Sequence, residues 1–257
     1  MSKRRGVVIL NKAIFTSFTI LCLLSMVLLV ECTTSVKADS ATLYVDNDNV
    51  TGPWDGTKAH PYQNITDALE RTTDGDTIFV QKGMYYEHVM VGKSVSLVGE
   101  DRDLTIVDGN RTGSVISVTA NNVNICGFTI RLSGKGYYDS GIYVDHSSGN
   151  SINSNVITSN NGGISLYSSG NNVVSGNVIS SNNYDGIVFY SSANNVVSGN
   201  VISSNNYDGI VFYSSANNVV SGNVISSNNY DGIVFYSSAN NVVSGNVISS
   251  NNYDGIV

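Results

Sequence analysis

Four aspartates, Asp185, Asp208, Asp231 and Asp254, recur 23 residues apart. If a chain of that period stacks coil on coil, they form a carboxylate ladder with rungs ~4.8 Å apart. A carboxylate pair at ~5 Å matches the separation that retaining glycoside hydrolysis uses. The oxygens of Asp185, Asp208 and Asp231 would also suit a hard cation such as calcium. Identical rungs single out no one carboxyl as the acid, so a solvated acidic face is the competing reading. Tyr190, Tyr213 and Tyr236 share the same period. Flat aromatic rings beside Ser and Asn suit carbohydrate, against the plainer reading that the rings stack for stability. Asp46-Asn47-Asp48-Asn49 is a second oxygen-rich stretch fit for calcium, but it lacks the bidentate Glu of a complete calcium loop. Asp139, Asp145 and His146, with Arg131 and Lys135 nearby in sequence, make the one mixed polar cluster. They are the catalytic or metal candidates, weighed against a solvated patch. Copper would need His, Cys or Met. His60, His88, His146, Cys126, Met84 and Met90 are scattered, so no copper site is expected.

The elements that must position these residues follow from the repeat. The unit NNVVSGNVISSNNYDGIVFYSSA begins at Asn171, Asn194, Asn217 and Asn240. Each copy holds three short β-prone runs, VVS, NVIS and GIVFYSS, separated by turn-forming Asn, Ser, Gly and Asp. No proline follows Pro61, and no run carries a helical apolar stripe. Strand alternation puts Ile187 and Phe189 on one face and Val188 and Tyr190 on the other, with Val197 and Ile202 inward. One unit cannot bury these residues alone, but a stack can. The expectation is one parallel β-helix coil per unit, roughly eight coils from Asp76 onward. Asn177, Asn200, Asn223 and Asn246 should form an amide ladder. Aligning Gly141-Ile142-Tyr143-Val144 on the repeat puts Asp145 on the Tyr190 rung.

Residues 1–38 read as a secretory signal. Lys3, Arg4, Arg5 and Lys12 precede an apolar stretch, and Val36-Lys37-Ala38 supplies a cleavage site. An uncleaved anchor is the alternative, and the membrane is met only through that segment. Removing it takes away five basic residues and one acidic residue, which moves the formal net charge from −7 to −11. It also leaves Cys126 as the lone cysteine. No Lys or Arg follows Lys135. A surface without cations excludes nucleic acid as a partner. Residues 39–75 read as a cap. Within them Asn64 to Arg71 predicts a short N-capped helix that covers the open end of the stack. The repeats occupy 76–257 and stop inside a strand-forming run, so a piece of a longer protein is expected.

The segments Tyr44-Val45-Asp46, Pro61 to Leu69 and Gly75 to Val80 resemble the opening of pectin-lyase-like β-helix proteins. The repeats resemble those of NosD-type periplasmic and related surface proteins. The resemblance implies a right-handed parallel β-helix, all-β but for the short capping helix. It implies a secreted, surface or periplasmic location, and either copper delivery or a carbohydrate-binding or sugar-cleaving role. Lyases of this fold use Arg or Lys as base, and the repeats contain neither. The sequence is read as a non-catalytic scaffold or carbohydrate-binding module, with a glycan or cell-envelope polysaccharide as partner. The alternatives are a polysaccharide hydrolase or lyase, and a copper accessory protein.

Overall fold

The computed structural model describes residues 40–257; the segment read as a signal or anchor lies outside them. Among the described residues the chain winds through three parallel sheets of nine, eight and seven strands. One repeat supplies one strand to each sheet: Val173–Ser175, Val178–Ser180 and Ile187–Tyr190. Successive repeats pair in register, Val174 on Val197 and Ile187 on Ile210. The predicted alignment of the older coils also holds, with Asp145 paired to Tyr167 and Tyr167 to Tyr190. Isoleucine, valine and leucine from all three sheets meet in one continuous core. Phe189, Phe212 and Phe235 stack inside it at 4.6 and 4.9 Å between ring centres.

The strands are short because the corners are tight. Gly176, Ser181, Ser191 and Asn194 all adopt positive φ, between 48° and 64°. Each left-handed residue turns the chain, and the next residue is thrown into the corner. Those next residues are Asn177, Asn182, Ser192 and Asn195, all buried. A left-handed serine is unfavourable by ~1–2 kcal/mol, and the buried residue after it supplies the offset. Asn177 N–H and Nδ2 both donate to Asn200 Oδ1, at 2.9 and 3.0 Å. The same pattern links Asn182 to Asn205 and Asn195 to Asn218. Ser192 N–H donates to Ser215 Oγ at 2.9 Å. Three Asn ladders and one Ser ladder therefore hold the corners, where the spacing alone pointed to one. At each corner, Gly176-Asn177, Ser181-Asn182, Ser191-Ser192 and Asn194-Asn195, the first residue bends and the second ladders. Gly186 answers a different need. Its φ is ordinary, but a Cβ there would lie 2.6 Å from Gly209 O and from Ile202 Cγ2.

The N-terminal end is closed by the helix Ile65–Arg71, with Ile65, Ala68 and Leu69 buried against the core. Asn64 makes no side-chain cap, contrary to the local expectation. Glu87, from the first coil, accepts Ile65 N–H at 2.8 Å and Thr66 N–H at 2.9 Å. At the other end Lys93 Nζ donates to Leu69 O and Thr72 O, at 2.8 and 2.7 Å. Acid at the N-terminus and cation at the C-terminus both suit the helix dipole. Glu87→Ala should destabilise the fold by about 1–2 kcal/mol, the scale of a lost helix cap. Urea unfolding monitored by circular dichroism reads this, and an unchanged midpoint would refute the capping role. Cys126 is fully buried at the end of its strand, as the sequence suggests for a small buried side chain.

Candidate functional site

The outer face of the third sheet carries the functional candidates. Tyr190, Tyr213 and Tyr236 stack as expected, with ring centres 5.1 and 4.9 Å apart and planes within 8°. The geometry changes what they can do. Each inner ring has a neighbour on both faces, so the ladder presents edges and hydroxyls rather than open faces. A second ladder stands beside it: Tyr184, Tyr207, Tyr230 and Tyr253, with ring centres at 5.1, 4.8 and 5.1 Å. Its residues belong to the turn before the strand and were readable from the same period. Between the ladders lie Val188, Val211 and Val234, buried outside the main core and packed against Tyr190 and Tyr213. The result is a shallow groove with tyrosine walls above a row of buried valines.

The groove deepens where the repeats begin. Tyr184, Tyr207, Tyr190, Tyr213 and Val188 line a cavity of about 200 Å³ together with Tyr137 and Tyr138. The last two come from the excursion between the second and third sheets. Tyr137 Oη lies 3.4 Å from Tyr190 Oη, and the Tyr138 ring meets Tyr167 and Tyr190 edge-on at 6.3 Å each. Asn161 Nδ2 donates to Gly136 O at 2.9 Å and Gly162 N–H to Asp139 O at 3.1 Å, which ties the excursion down.

The aspartate ladder is not a solvated face. Asp208 N–H donates to Asp185 Oδ1 at 2.9 Å, Asp231 N–H to Asp208 Oδ1 at 2.7 Å, and Asp254 N–H to Asp231 Oδ1 at 2.6 Å. Each carboxylate thus secures the coil after it. The rungs are also unequal. Asp185 lines the cavity, and its carboxyl is pushed up to about 7, chiefly by burial and less by the Asp208 charge, against the Asp208 N–H bond. Burial raises Asp208 as well. Burial raises the Tyr190 hydroxyl strongly and takes that of Tyr213 to about 12, so both stay protonated hydrogen-bonding groups. The repeats are identical in sequence, but the single-copy excursion gives Asp185 an environment of its own.

The mixed cluster separates. Asp139 and Asp145 lie at opposite ends of the strand Ser140–Asp145, which at ~3.3 Å per residue places them on the order of 20 Å apart. Asp139 Oδ2 accepts Gly136 N–H at 2.7 Å and closes its own loop. Arg131 pairs with the buried Asp108 at 2.9 Å. Asp145 and His146 remain together, Oδ1 to Nδ1 at 2.6 Å, and the His146 ring leans on Tyr167 at 5.6 Å. Asp46 Oδ1 accepts Asp48 N–H in a local turn, while Asn47 and Asn49 donate to Met84 O and Pro61 O. Among the described residues no three His, Cys, Asp or Glu side chains gather where a metal could be held.

This architecture is a right-handed parallel β-helix of the pectin-lyase type with a short N-terminal capping helix. Pectate lyase Pel9A superposes with a TM-score of 0.64 at 14% identity, covering 80% of this chain and 64% of that one. The catalytic domain of a GH87 alpha-1,3-glucanase, solved with tetrasaccharides, gives 0.60 at 13%, covering 71% and 37%. A variant of the periplasmic alginate epimerase AlgG gives 0.57 at 20%, covering 85% and 55%. At these identities the likeness is one of fold. A cell surface glycoprotein of Methanothermus fervidus is 35% identical over 99 residues, 37% of this chain, and the match spans only 16% of that relative. The family model described as periplasmic copper-binding protein (NosD) matches residues 70–257. The chain belongs to this family.

The donors present do not fit copper. Both ring nitrogens of His88 are engaged, by Ser114 O and Thr112 Oγ1. Arg131 approaches the Met84 sulfur at 3.5 Å, a place hostile to a cation. His60 and Met90 stand exposed and apart from these, and Cys126 is fully buried.

Proposed function

We propose that this chain is a surface or periplasmic β-helix module that binds a glycan, without cleaving it, in the groove between the two tyrosine ladders. The observation that carries the reading is the cavity itself: hydroxyls and apolar ring edges on both walls, with Val188 buried between them. Sugars need both surfaces at once, polar groups for their hydroxyls and apolar area for their C–H faces. The family description and the surface glycoprotein relative support the location. Tyr213→Phe removes one wall hydroxyl and leaves the stack. It should weaken binding of a neutral oligosaccharide about fivefold, the value of ~1 kcal/mol for one hydrogen bond. Tyr190→Ala with Tyr213→Ala should weaken it at least tenfold. Titration calorimetry measures both, and unchanged affinity in the double variant would overturn the reading.

A second reading, a polysaccharide-cleaving enzyme, has Asp185 in its favour. A carboxyl that keeps its proton near neutral pH is what a general acid requires. Asp208, on the adjacent rung, is the carboxylate that would have to complete the pair. Release of reducing ends that disappears in Asp185→Asn would favour this reading over binding alone, and would place the chemistry at Asp185 rather than at Asp145 and His146.

A further inference from the structure

We infer that the groove is a terminal site: it holds the end of a linear, uncharged glycan under the Tyr137–Tyr138 roof, with the rest of the chain lying along the ladders. This deepens the glycan-binding reading and rests on it. Three features of the groove carry it.

The first is that one end is shut. Tyr137 and Tyr138 close over Tyr190 and Tyr167, and Ser140 Oγ donates to Tyr138 O at 3.2 Å from below. The Tyr184 wall also begins there. The preceding coil reads Asn160-Asn161-Gly162-Gly163 where the repeat reads Asn182-Asn183-Tyr184-Asp185-Gly186. It therefore has no ring above Tyr184 and no carboxyl above Asp185.

The second is that the tyrosine ladders continue in the other direction. Below Tyr207 and Tyr213 the same three rows continue as Tyr230, Val234 and Tyr236. A polymer can run along them, one coil after another, but it cannot pass the roof. A site closed at one end and continuous at the other selects chain ends.

The third is charge. No Lys or Arg follows Lys135 in the chain, so nothing in the repeats can neutralise an acidic sugar. Asp185 lines the closed end. A uronate placed there would meet a carboxyl, with Lys135 of the excursion as the cation nearest the roof in sequence, whereas a neutral sugar meets hydroxyls it can bond. A polymer with a uronate on every residue would find no cation along the ladders, so neutral glycans are the favoured occupants.

The test uses the full chain and a panel of neutral homoglycans of different linkage, each as a short and a long form at equal mass, with oligogalacturonate as the acidic probe. Competition for an immobilised neutral oligosaccharide is measured. Recognition of ends makes the short form the better competitor, in proportion to its larger number of ends. Equal competition per mass would overturn the terminal site while leaving glycan binding intact. Preferential binding of oligogalacturonate would overturn the uncharged class. Binding to nothing in the panel would remove the glycan reading and this inference together. Y137G/Y138G, which opens the roof and leaves both ladders, should raise the long form's competition relative to the short form's at least tenfold per mass. An unaltered ratio in that variant would show that the roof is not the stop.

Discussion

Asn200→Ala is expected to lower the stability of the fold by on the order of 4 kcal/mol. Asn200 Oδ1 accepts from Asn177 N–H and Nδ2, at 2.9 and 3.0 Å. Asn200 Nδ2 donates to Val174 O and Asn223 Oδ1, both at 2.9 Å. The substitution breaks all four bonds, leaves Asn177 N–H buried without a partner and leaves Asn177 Nδ2 with only Ile152 O. Each unsatisfied buried group costs about 1–3 kcal/mol, which outweighs the rotamer freedom regained. The loss is comparable to the ~3–5 kcal/mol for truncating a buried phenylalanine. The corner amides thus rank with the Phe189–Phe212–Phe235 stack as determinants of stability. Asn200→Leu restores volume but no acceptor, so it should be equally poor. Asn206 provides the contrast. It is exposed, and its side chain reaches Asn183 Oδ1 only at 3.5 Å, so Asn206→Ala should cost less than about 0.5 kcal/mol. Chemical denaturation of the two variants side by side checks the pair. A loss below about 1 kcal/mol at Asn200, or equal losses at both sites, would contradict the corner-ladder account.

The contrast between these two asparagines marks the limit of what the period conveys. A fixed spacing of 23 residues guarantees that equivalent residues stack, and so the register of Ile187 on Ile210 and of Asp145 on the Tyr190 rung is legible in the sequence. It says nothing about which way a side chain turns once stacked. Asn205 and Asn206 are neighbours in one doublet, yet one is buried and the other exposed, because a left-handed residue precedes the first. The tyrosines show the same limit. Their stacking is legible, but stacking uses the ring faces, and what remains for a ligand is edge and hydroxyl. Contacts made by single-copy segments are illegible for another reason. Glu87 caps a helix that starts 22 residues earlier in the chain, and no local pattern announces it. The Tyr137–Tyr138 excursion likewise reaches Tyr190, 53 residues on. That one contact converts a uniform ladder into a groove with a closed end and a distinct first rung.

Asp185, at that first rung, should make the protein less stable as pH rises from about 4 to about 7. Its carboxyl ionises near 3.8 when exposed and near 7 in the folded chain, chiefly because it is buried. Between those limits the folded state holds a proton that the unfolded state has released. Unfolding then releases a proton, so raising the pH favours it. The contribution is constant below about 4, where both states are protonated, and constant again above about 7, where both are ionised. Three units at ~1.4 kcal/mol each would give about 4 kcal/mol. Asp185 is partly open to solvent, which screens the charge and reduces the expected loss to about 1–2 kcal/mol. Asp185→Asn keeps an oxygen for the Asp208 N–H and carries no charge at any pH. It should flatten much of this slope and raise stability at pH 8 by about 1–2 kcal/mol, leaving the weaker contribution of Asp208. Thermal melts of both proteins at pH 4, 6 and 8 decide the matter. A native protein that gains stability over this range, or an Asn variant less stable than the parent at pH 8, would mean that Asp185 is ionised and satisfied in the fold. The closed end of the groove would then carry a negative charge at neutral pH, and the case for Asp185 as an acid would fall with it.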